Sequence, residues 1–294
     1  MKTRILIAAL LTIAALAVIG CEEKKYIVID DAIPAAPVGV YSVTGDGYVD
    51  IYWPLNNDGG ITEDYAVYYY AGTEGNQDVY ELLAKGNDID FIMPDYIYTD
   101  EARGYYRDYD VSNGVTYRYA VSAYNENGES DLSAVDAFDT PRPEGSDMVR
   151  DYHTYPSDGG FDFSRARVVD WDDATSDVYF EFDPNLDAFF FFAGDVDVDI
   201  MDYGYTDALN SVGWGDPGEG DGWSEVGWME LTLGHSYIVW TADNHYATFR
   251  VTNLSVSNIS IDWAYQTDEG NPDLKRAPKV SPPHAENYGR RSGN

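Results

Sequence analysis

Tryptophan and carboxylate crowd one short stretch of the chain, residues 213–228. Trp214, Trp223 and Trp228 are interleaved there with Asp216, Glu219, Asp221 and Glu225, and glycines punctuate the run. Carboxylates at that density are the ligand type of Ca²⁺, a hard cation that takes roughly six to eight oxygens, and exposed indoles stack on sugar rings or another flat ligand. Glycine lets the backbone turn its carbonyls toward such a ligand. A loop of this length is uncommon in a compact domain unless it is functional or disordered. The competing reading is an ordered loop whose indoles cap the domain's own core while the acids are simply solvated.

Other constellations fail on spacing. Asp195, Asp197, Asp199 and Asp202 suggest a calcium loop, but the sixth and twelfth positions counted from Asp195 hold Ile200 and Thr206, where glycine and glutamate are required. Alternation with Val196, Val198 and Ile200 instead predicts a strand with the aspartates on its solvent face. Gly222-Trp223-Ser224 begins like a nucleophile elbow, yet Val226 stands where the second glycine belongs. His153, His235, His245 and His284 show no metal-binding spacing. Residues 234–241 and 244–251 read as a hairpin turning at 242–244, so His235 and His245 could approach as the two axial ligands of a haem do. Two hydrogen-bonded histidines at strand ends are the plainer alternative. Among 52 acids no pair is singled out for glycosidase chemistry.

The remaining reactive residue is Cys21, the only cysteine. Lys2 and Arg4 precede an apolar run over 5–19 broken only by Thr12. The run is short for a spanning helix, which needs about 20 apolar residues. It ends Val18-Ile19-Gly20-Cys21 and is followed at once by Glu22, Glu23, Lys24 and Lys25. That tetrapeptide resembles the lipobox of bacterial lipoproteins, which implies cleavage before Cys21 and acyl chains upon it. An ordinary cleaved signal is the alternative. An acylated sole thiol leaves no disulfide framework, thiolate metal site or cysteine nucleophile. Each buried methylene contributes about 0.8 kcal/mol, so two or more chains anchor a protein stably. The lipobox thus assigns 1–20 to a signal peptide and 21–33 to a lipidated tether. It implies a bacterial cell-envelope address, at the outer membrane or cell surface, with the lipid membrane as partner and the domains outside the cytoplasm.

The balance of 52 acidic against 18 basic residues gives a net charge of −34. A nucleic acid would be repelled, and no clustered basic stripe overcomes that. Such acidity also keeps proteins soluble in concentrated salt. Aromatic residues make up 15% of the chain, with 26 tyrosines, which argues against disorder.

These side chains must be positioned by strands. The runs 38–44, 48–53, 64–71, 80–85, 116–124 and 132–138 are short, rich in Val, Ile, Tyr and Trp, and separated by Gly, Asn and Asp, the pattern of an antiparallel sandwich. Pro34 and Pro37 at the start, Trp53 closing the second strand, Tyr65-Ala66-Val67-Tyr68, and Asn113-Gly114-Val115-Thr116-Tyr117 leading into Arg118-Tyr119-Ala120-Val121 resemble a fibronectin type III domain over residues 34–141. The resemblance implies that Trp53 fills the core between the sheets and that Tyr117 is the tyrosine-corner residue. The stretch 87–109 departs from it, as an apparent insertion. No Arg-Gly-Asp tripeptide is present, so integrin-type adhesion does not carry over.

Two prolines and a glycine in 142–146 read as a linker. Beyond it, runs at 161–163, 177–182, 188–200, 230–240, 245–252 and 256–263 predict a second, mainly β domain over 147–277, with 207–211 as a short helical candidate. The hairpin segment 234–251 within it resembles the β domains of the haem-capturing surface lipoproteins of the HmuY type. The two halves show no shared period, and 278–294 reads as a disordered tail. The whole is expected to be all-β, an immunoglobulin-like sandwich followed by a second β domain. Its expected role is non-catalytic, the first domain spacing and presenting the second for a carbohydrate, protein or other extracellular ligand, with Ca²⁺ as the one candidate cofactor. The alternatives are an envelope-attached carbohydrate-active enzyme and a lipoprotein that captures haem or another small ligand.

Replacing the sole thiol removes the only attachment point for lipid. Cys21→Ser is expected to abolish labelling by a palmitate analogue and to move the chain from the detergent phase to the aqueous phase. An unchanged membrane fraction with an uncleaved signal would mean that residues 5–19 act as an anchor helix instead.

Overall fold

A computed structural model describes residues 32–72, 79–92, 102–134, 137–212 and 222–274. Cys21 and the tail lie outside the described residues. Among those described, no helix is long and apolar enough to cross a membrane, and the regular elements are strands apart from single 3₁₀ turns.

The first sandwich holds β1 (Tyr41–Gly45), β2 (Tyr48–Pro54), β3 (Asp64–Ala71), β4 (Glu81–Lys85), β5 (Asp90–Ile92), β6 (Arg103–Asp108), β7 (Tyr117–Asn125), β8 (Gly128–Glu129) and β9 (Ala137–Asp139). One sheet runs β1-β2-β6-β5 and the other β4-β3-β7-β8, with β9 also on β7. Period-two alternation sorts the strands: Val49, Ile51 and Trp53 of β2 face inward onto Tyr65, Val67, Tyr119 and Val121. Trp53 is fully buried. It pairs across the sheet with Gly104, where a Cβ would lie 2.1 Å from the indole, so only glycine fits. The apparent insertion at 87–109 therefore contains two strands of the sheet, β6 beside β2 and β5 at the edge. Charged residues and Gly104 gave β6 the look of a loop. They suit it because Arg107 pairs with Asp50 at 2.6 and 2.8 Å, and Asp108 accepts the buried Tyr119 hydroxyl at 3.0 Å.

The second sandwich is built from β10 (Glu144–Arg150), β11 (Gly160–Asp162), β12 (Arg167–Val169), β13 (Val178–Asp183), β14 (Ala188–Ala193), β15 (Asp199–Tyr205), β16 (Trp228–Glu230), β17 (His235–Trp240), β18 (Tyr246–Ser255) and β19 (Asn258–Tyr265). Its sheets run β10-β19-β18-β17-β15 and β12-β11-β13-β14-β16. Phe161, Phe163, Phe180, Phe191, Tyr237, Phe249 and Trp263 fill the space between them.

Several sequence expectations shift. The stretch 142–146 is not a free linker, because β10 begins at Glu144 and pairs with β19. Gly145, read as a strand breaker, stands opposite Trp263, and a Cβ there would lie 2.9 Å from that indole. The run 188–200 is two strands in different sheets. The chain crosses at Gly194, where a Cβ would meet the Ser176 carbonyl at 1.8 Å. Val196 is consequently 95% exposed in a turn rather than on a core face. The helical candidate 207–211 is a 3₁₀ turn over Leu209–Ser211.

The halves do share a local repeat. Ser112-x-Gly114-x-Thr116-Tyr117 and Thr232-x-Gly234-x-Ser236-Tyr237 have the same pattern. Both glycines are left-handed, with φ of 80° and 83°. The Tyr117 hydroxyl accepts Ser112 N–H at 3.0 Å. Tyr237 accepts Thr232 N–H at 2.8 Å and donates to the Glu230 carbonyl at 3.0 Å. Each sandwich thus carries a tyrosine corner.

Arg142, fully buried, sits where the sandwiches meet. Burial works against its charge, and the carboxylates of Glu144, Asp139 and Asp273 hold it. Around it, the backbone N–H of Arg142 donates to the Gly45 carbonyl at 3.3 Å and that of Gly114 to the Pro141 carbonyl at 2.8 Å. Gln266 Nε2 donates to the Thr140 carbonyl at 3.4 Å.

Trp53→Ala is expected to destabilise the first sandwich by about 3 to 5 kcal/mol through a core cavity. Tyr117→Phe and Tyr237→Phe should each cost about 1 to 3 kcal/mol, by stranding backbone groups. Denaturant melts of the chain check this, and an unmoved midpoint for Tyr237→Phe would deny the second corner.

Candidate functional site

Among the described residues, those singled out by type do not converge. Trp214, Asp216, Glu219 and Asp221 lie outside the described residues. Trp223 is half-buried against Met201, Val212, Ile238, Tyr246 and Leu274, a small cluster on the outer side of the β15–β17 sheet, so this indole caps a core. Glu225 lies in an exposed turn, organised by Ser224, whose hydroxyl donates to the Trp228 carbonyl at 2.7 Å. Trp228 goes to the opposite sheet, on β16. Asp195 and Asp197 are exposed, and the described residues contain no group of three metal-ligating side chains placed to hold an ion. His235 is bonded to Asp202 at 3.0 Å and His245 to the Gln266 carbonyl at 2.9 Å. They sit at opposite ends of the β17–β18 hairpin, whose register runs from Ser236↔Arg250 to Trp240↔Tyr246. That is a strand's length, and it denies a shared haem.

What the fold does assemble is an aromatic row on the outer face of the β12-β11-β13-β14-β16 sheet. Its origin is the run Phe189-Phe190-Phe191-Phe192 on β14. Alternation sends Phe191 to the core, with Phe189 packed against it, and puts Phe190 and Phe192 on the other face of the sheet, where Phe190 is buried against Trp228 at 5.1 Å and Phe192 is half-buried. Across the strands Tyr179 pairs with Phe192 and Phe192 with Trp228. Tyr179 and Phe192 stack at 5.2 Å, 12° apart, and Trp228 lies 6.3 Å from Phe192 at 45°. Beyond Tyr179 the line continues into Trp171 at 5.4 Å and Tyr152 at 5.3 Å. Gly159 makes room for these two, since a Cβ there would lie 2.7 Å from Tyr152. Aromatic pairs at these separations stabilise by about 0.5 to 1.5 kcal/mol beyond their buried area. Tyr152, Trp171, Tyr179 and Phe192 are half-buried, while Trp228 is 38% exposed.

A second row runs alongside the first. Glu181 pairs with Phe190, and Phe190 with Glu230, so two carboxylates flank one ring. Burial holds the Glu181 carboxyl above its ordinary range; Asp183 and Asp151 add to this and His153 opposes it. The arrangement offers apolar ring surface along one line and hydrogen-bond acceptors along the next. Sequence reading passed over Trp171, Tyr179 and Phe192; four consecutive phenylalanines in a strand were the signal, because two of them must face outward.

A separate hollow of about 250 Å³ is lined by Ser164, Arg165, Asp177, Asp195 and Asp243 among others. Burial pushes the Asp177 carboxyl up to about 7, opposed by the Phe163 N–H and reinforced by Asp162 and Asp243. Its Oδ2 accepts Phe163 N–H at 2.8 Å. The Tyr265 hydroxyl donates to Asp243 at 3.3 Å, and Arg165 pairs with Asp162 at 3.3 Å.

No family model matches the chain, and no curated protein matches it either. Among solved structures, it is similar to a Fn3-like protein from Clostridium thermocellum, at 21% identity over 39% of this chain and 100% of that one, with a TM-score of 0.27. It is also similar to a DUF4466 family protein from Parabacteroides merdae, at 11% identity over 79% of this chain and 99% of that one, with a TM-score of 0.34. The fibronectin type III character of the first sandwich is carried by its own strand order, by Trp53 and by the Tyr117 corner.

Asp177 ties stability to pH. Its folded pKa lies above the ordinary aspartate value of about 3.9, so the native state binds the extra proton between the two, and stability falls as pH rises through that window. Asp177→Asn removes the charge and keeps an acceptor for Phe163 N–H. Its stability relative to the parent is expected to grow by up to about 1.4 kcal/mol per pH unit from about pH 4 to about pH 7, then level off. Paired urea melts across that range measure it; a pH-independent difference would mean that Asp177 ionises freely.

Proposed function

We propose that this chain is a non-catalytic lipoprotein of the bacterial envelope or cell surface. In this reading, acylated Cys21 ties it to the membrane, the first sandwich spaces it, and the second binds an extracellular ligand. The observation supporting it is the row Trp171–Tyr179–Phe192–Trp228, because a continuous line of large apolar rings on a sheet face marks an interaction site. The buried junction at Arg142 supports presentation: sandwiches joined by a shared strand boundary and direct hydrogen bonds hold one geometry. Ca²⁺ belongs to the proposal, with Asp216, Glu219, Asp221 and Glu225 as its carboxylate ligands. A second reading, an envelope-attached carbohydrate-active enzyme, is favoured by one observation, the shifted Asp177 carboxyl in its hollow.

A single titration separates them. The full-length chain in detergent is mixed with neutral glycans, anionic glycans and poly-lysine, while tryptophan fluorescence is followed and released reducing ends are assayed. Saturable quenching by one probe class, weakened in Trp228→Ala and without reducing ends, is expected. Reducing ends that vanish in Asp177→Asn would replace binding by catalysis, and no response to any probe would remove the binding role. Millimolar Ca²⁺ should raise the melting temperature; an unmoved melt would delete calcium from the proposal.

A further inference from the structure

We infer that the aromatic row is a subsite for a neutral, linear glycan lying across the strands, its sugar rings against Trp171, Tyr179, Phe192 and Trp228 and its hydroxyls bonded to Glu181 and Glu230. This rests on the binding reading above and specifies its ligand. Three observations carry it.

The first is shape. Tyr179, Phe192 and Trp228 occupy successive cross-strand positions, with strands about 4.8 Å apart, so the apolar surface is a line rather than a round patch. The two indoles tilt against the ends of the stacked pair, Trp171 at 67° to Tyr179 and Trp228 at 45° to Phe192. Tyr179 and Phe192 cover each other's faces, so the line presents ring edges there and the tilted indoles at its ends, a narrow apolar strip whose shape suits a linear polymer of sugar rings with apolar C–H faces and hydroxylated edges.

The second is the neighbouring row. Glu181 and Glu230 flank Phe190, and a carboxylate is an acceptor that needs donors. A flat apolar protein partner would bury both without donors, which is unfavourable. Sugar hydroxyls supply donors in charge-assisted bonds.

The third is charge. A net charge of −34 and two carboxylates within the site repel uronate or sulfated polymers. A basic polypeptide would be attracted by the whole acidic surface rather than by this row, so its binding would not depend on the rings.

Affinity electrophoresis of the detergent-solubilised full chain tests the inference, in gels carrying hydroxyethyl cellulose, xylan, galactomannan, alginate or heparin, with poly-lysine titrated separately. The expected result is retardation by at least one neutral polymer and by neither anionic one. Trp228→Ala and Tyr179→Ala should each weaken that retardation about tenfold or more, in chains that still unfold in one cooperative transition, the Tyr179 variant at a lower midpoint for its lost ring contacts. Val256→Ala, at an exposed site elsewhere, should leave it intact. Glu230→Gln should retain neutral binding while reducing discrimination against alginate. Retardation by anionic polymers alone, or neutral binding untouched by both ring variants, overturns the inference. So does row-dependent binding of poly-lysine with no glycan response, which would leave the binding reading standing with another ligand. Silence with every probe overturns both.

Discussion

The buried guanidinium of Arg142 is the constraint on which the two-domain arrangement depends. A charge without water requires opposite charge nearby, and here it comes from several segments: Asp139 from the last strand of the first sandwich, Glu144 from the first strand of the second, and Asp273 from beyond its final strand. Removing any carboxylate leaves the others with a less balanced buried cation. The neighbouring bonds from Gln266 to Thr140 and from Gly114 to Pro141 cross or border the same junction. The boundary between the domains is therefore itself packed, and a segment that would otherwise be a tether becomes the start of β10.

Within each sandwich the same two devices recur. A core tryptophan lies over a glycine on the paired strand, Trp53 over Gly104 and Trp263 over Gly145. A tyrosine hydroxyl closes the turn before its own strand, Tyr117 onto Ser112 and Tyr237 onto Thr232. The glycine removes the only atoms that would collide with the indole. The tyrosine satisfies a backbone group that burial would otherwise strand. These are local solutions to packing, which is why they recur on sheets whose strand orders differ.

The acidic surface and the aromatic row belong to one economy of solvation. Carboxylates spread over the exterior keep the chain soluble, and that permits large rings on one face of the second sandwich without a covering layer among the described residues. The rings shield one another by stacking, and Trp228 at the sheet edge is the most open of the row at 38% exposed. By contrast Trp223, from the same glycine-rich stretch, turns away to cap Met201 and Ile238. Indoles five residues apart thus end on opposite sheets.

By itself the sequence determined the β class, the first sandwich with Trp53 and Tyr117, and most strand positions, because period-two alternation and turn residues are local signals. It also held the run 189–192 and the repeated pattern ending in Tyr117 and Tyr237, signals that were legible but passed over. Only the tertiary structure decided that Gly104 and Gly145 sit inside strands, since the reason lies in an indole on another strand. Only it decided that 188–200 divides between two sheets, that Trp223 and Trp228 part company, and that His235 and His245 stay a strand's length apart. Each of these depends on contacts between residues distant in sequence, and alternation says which side a residue faces but not what it will meet there.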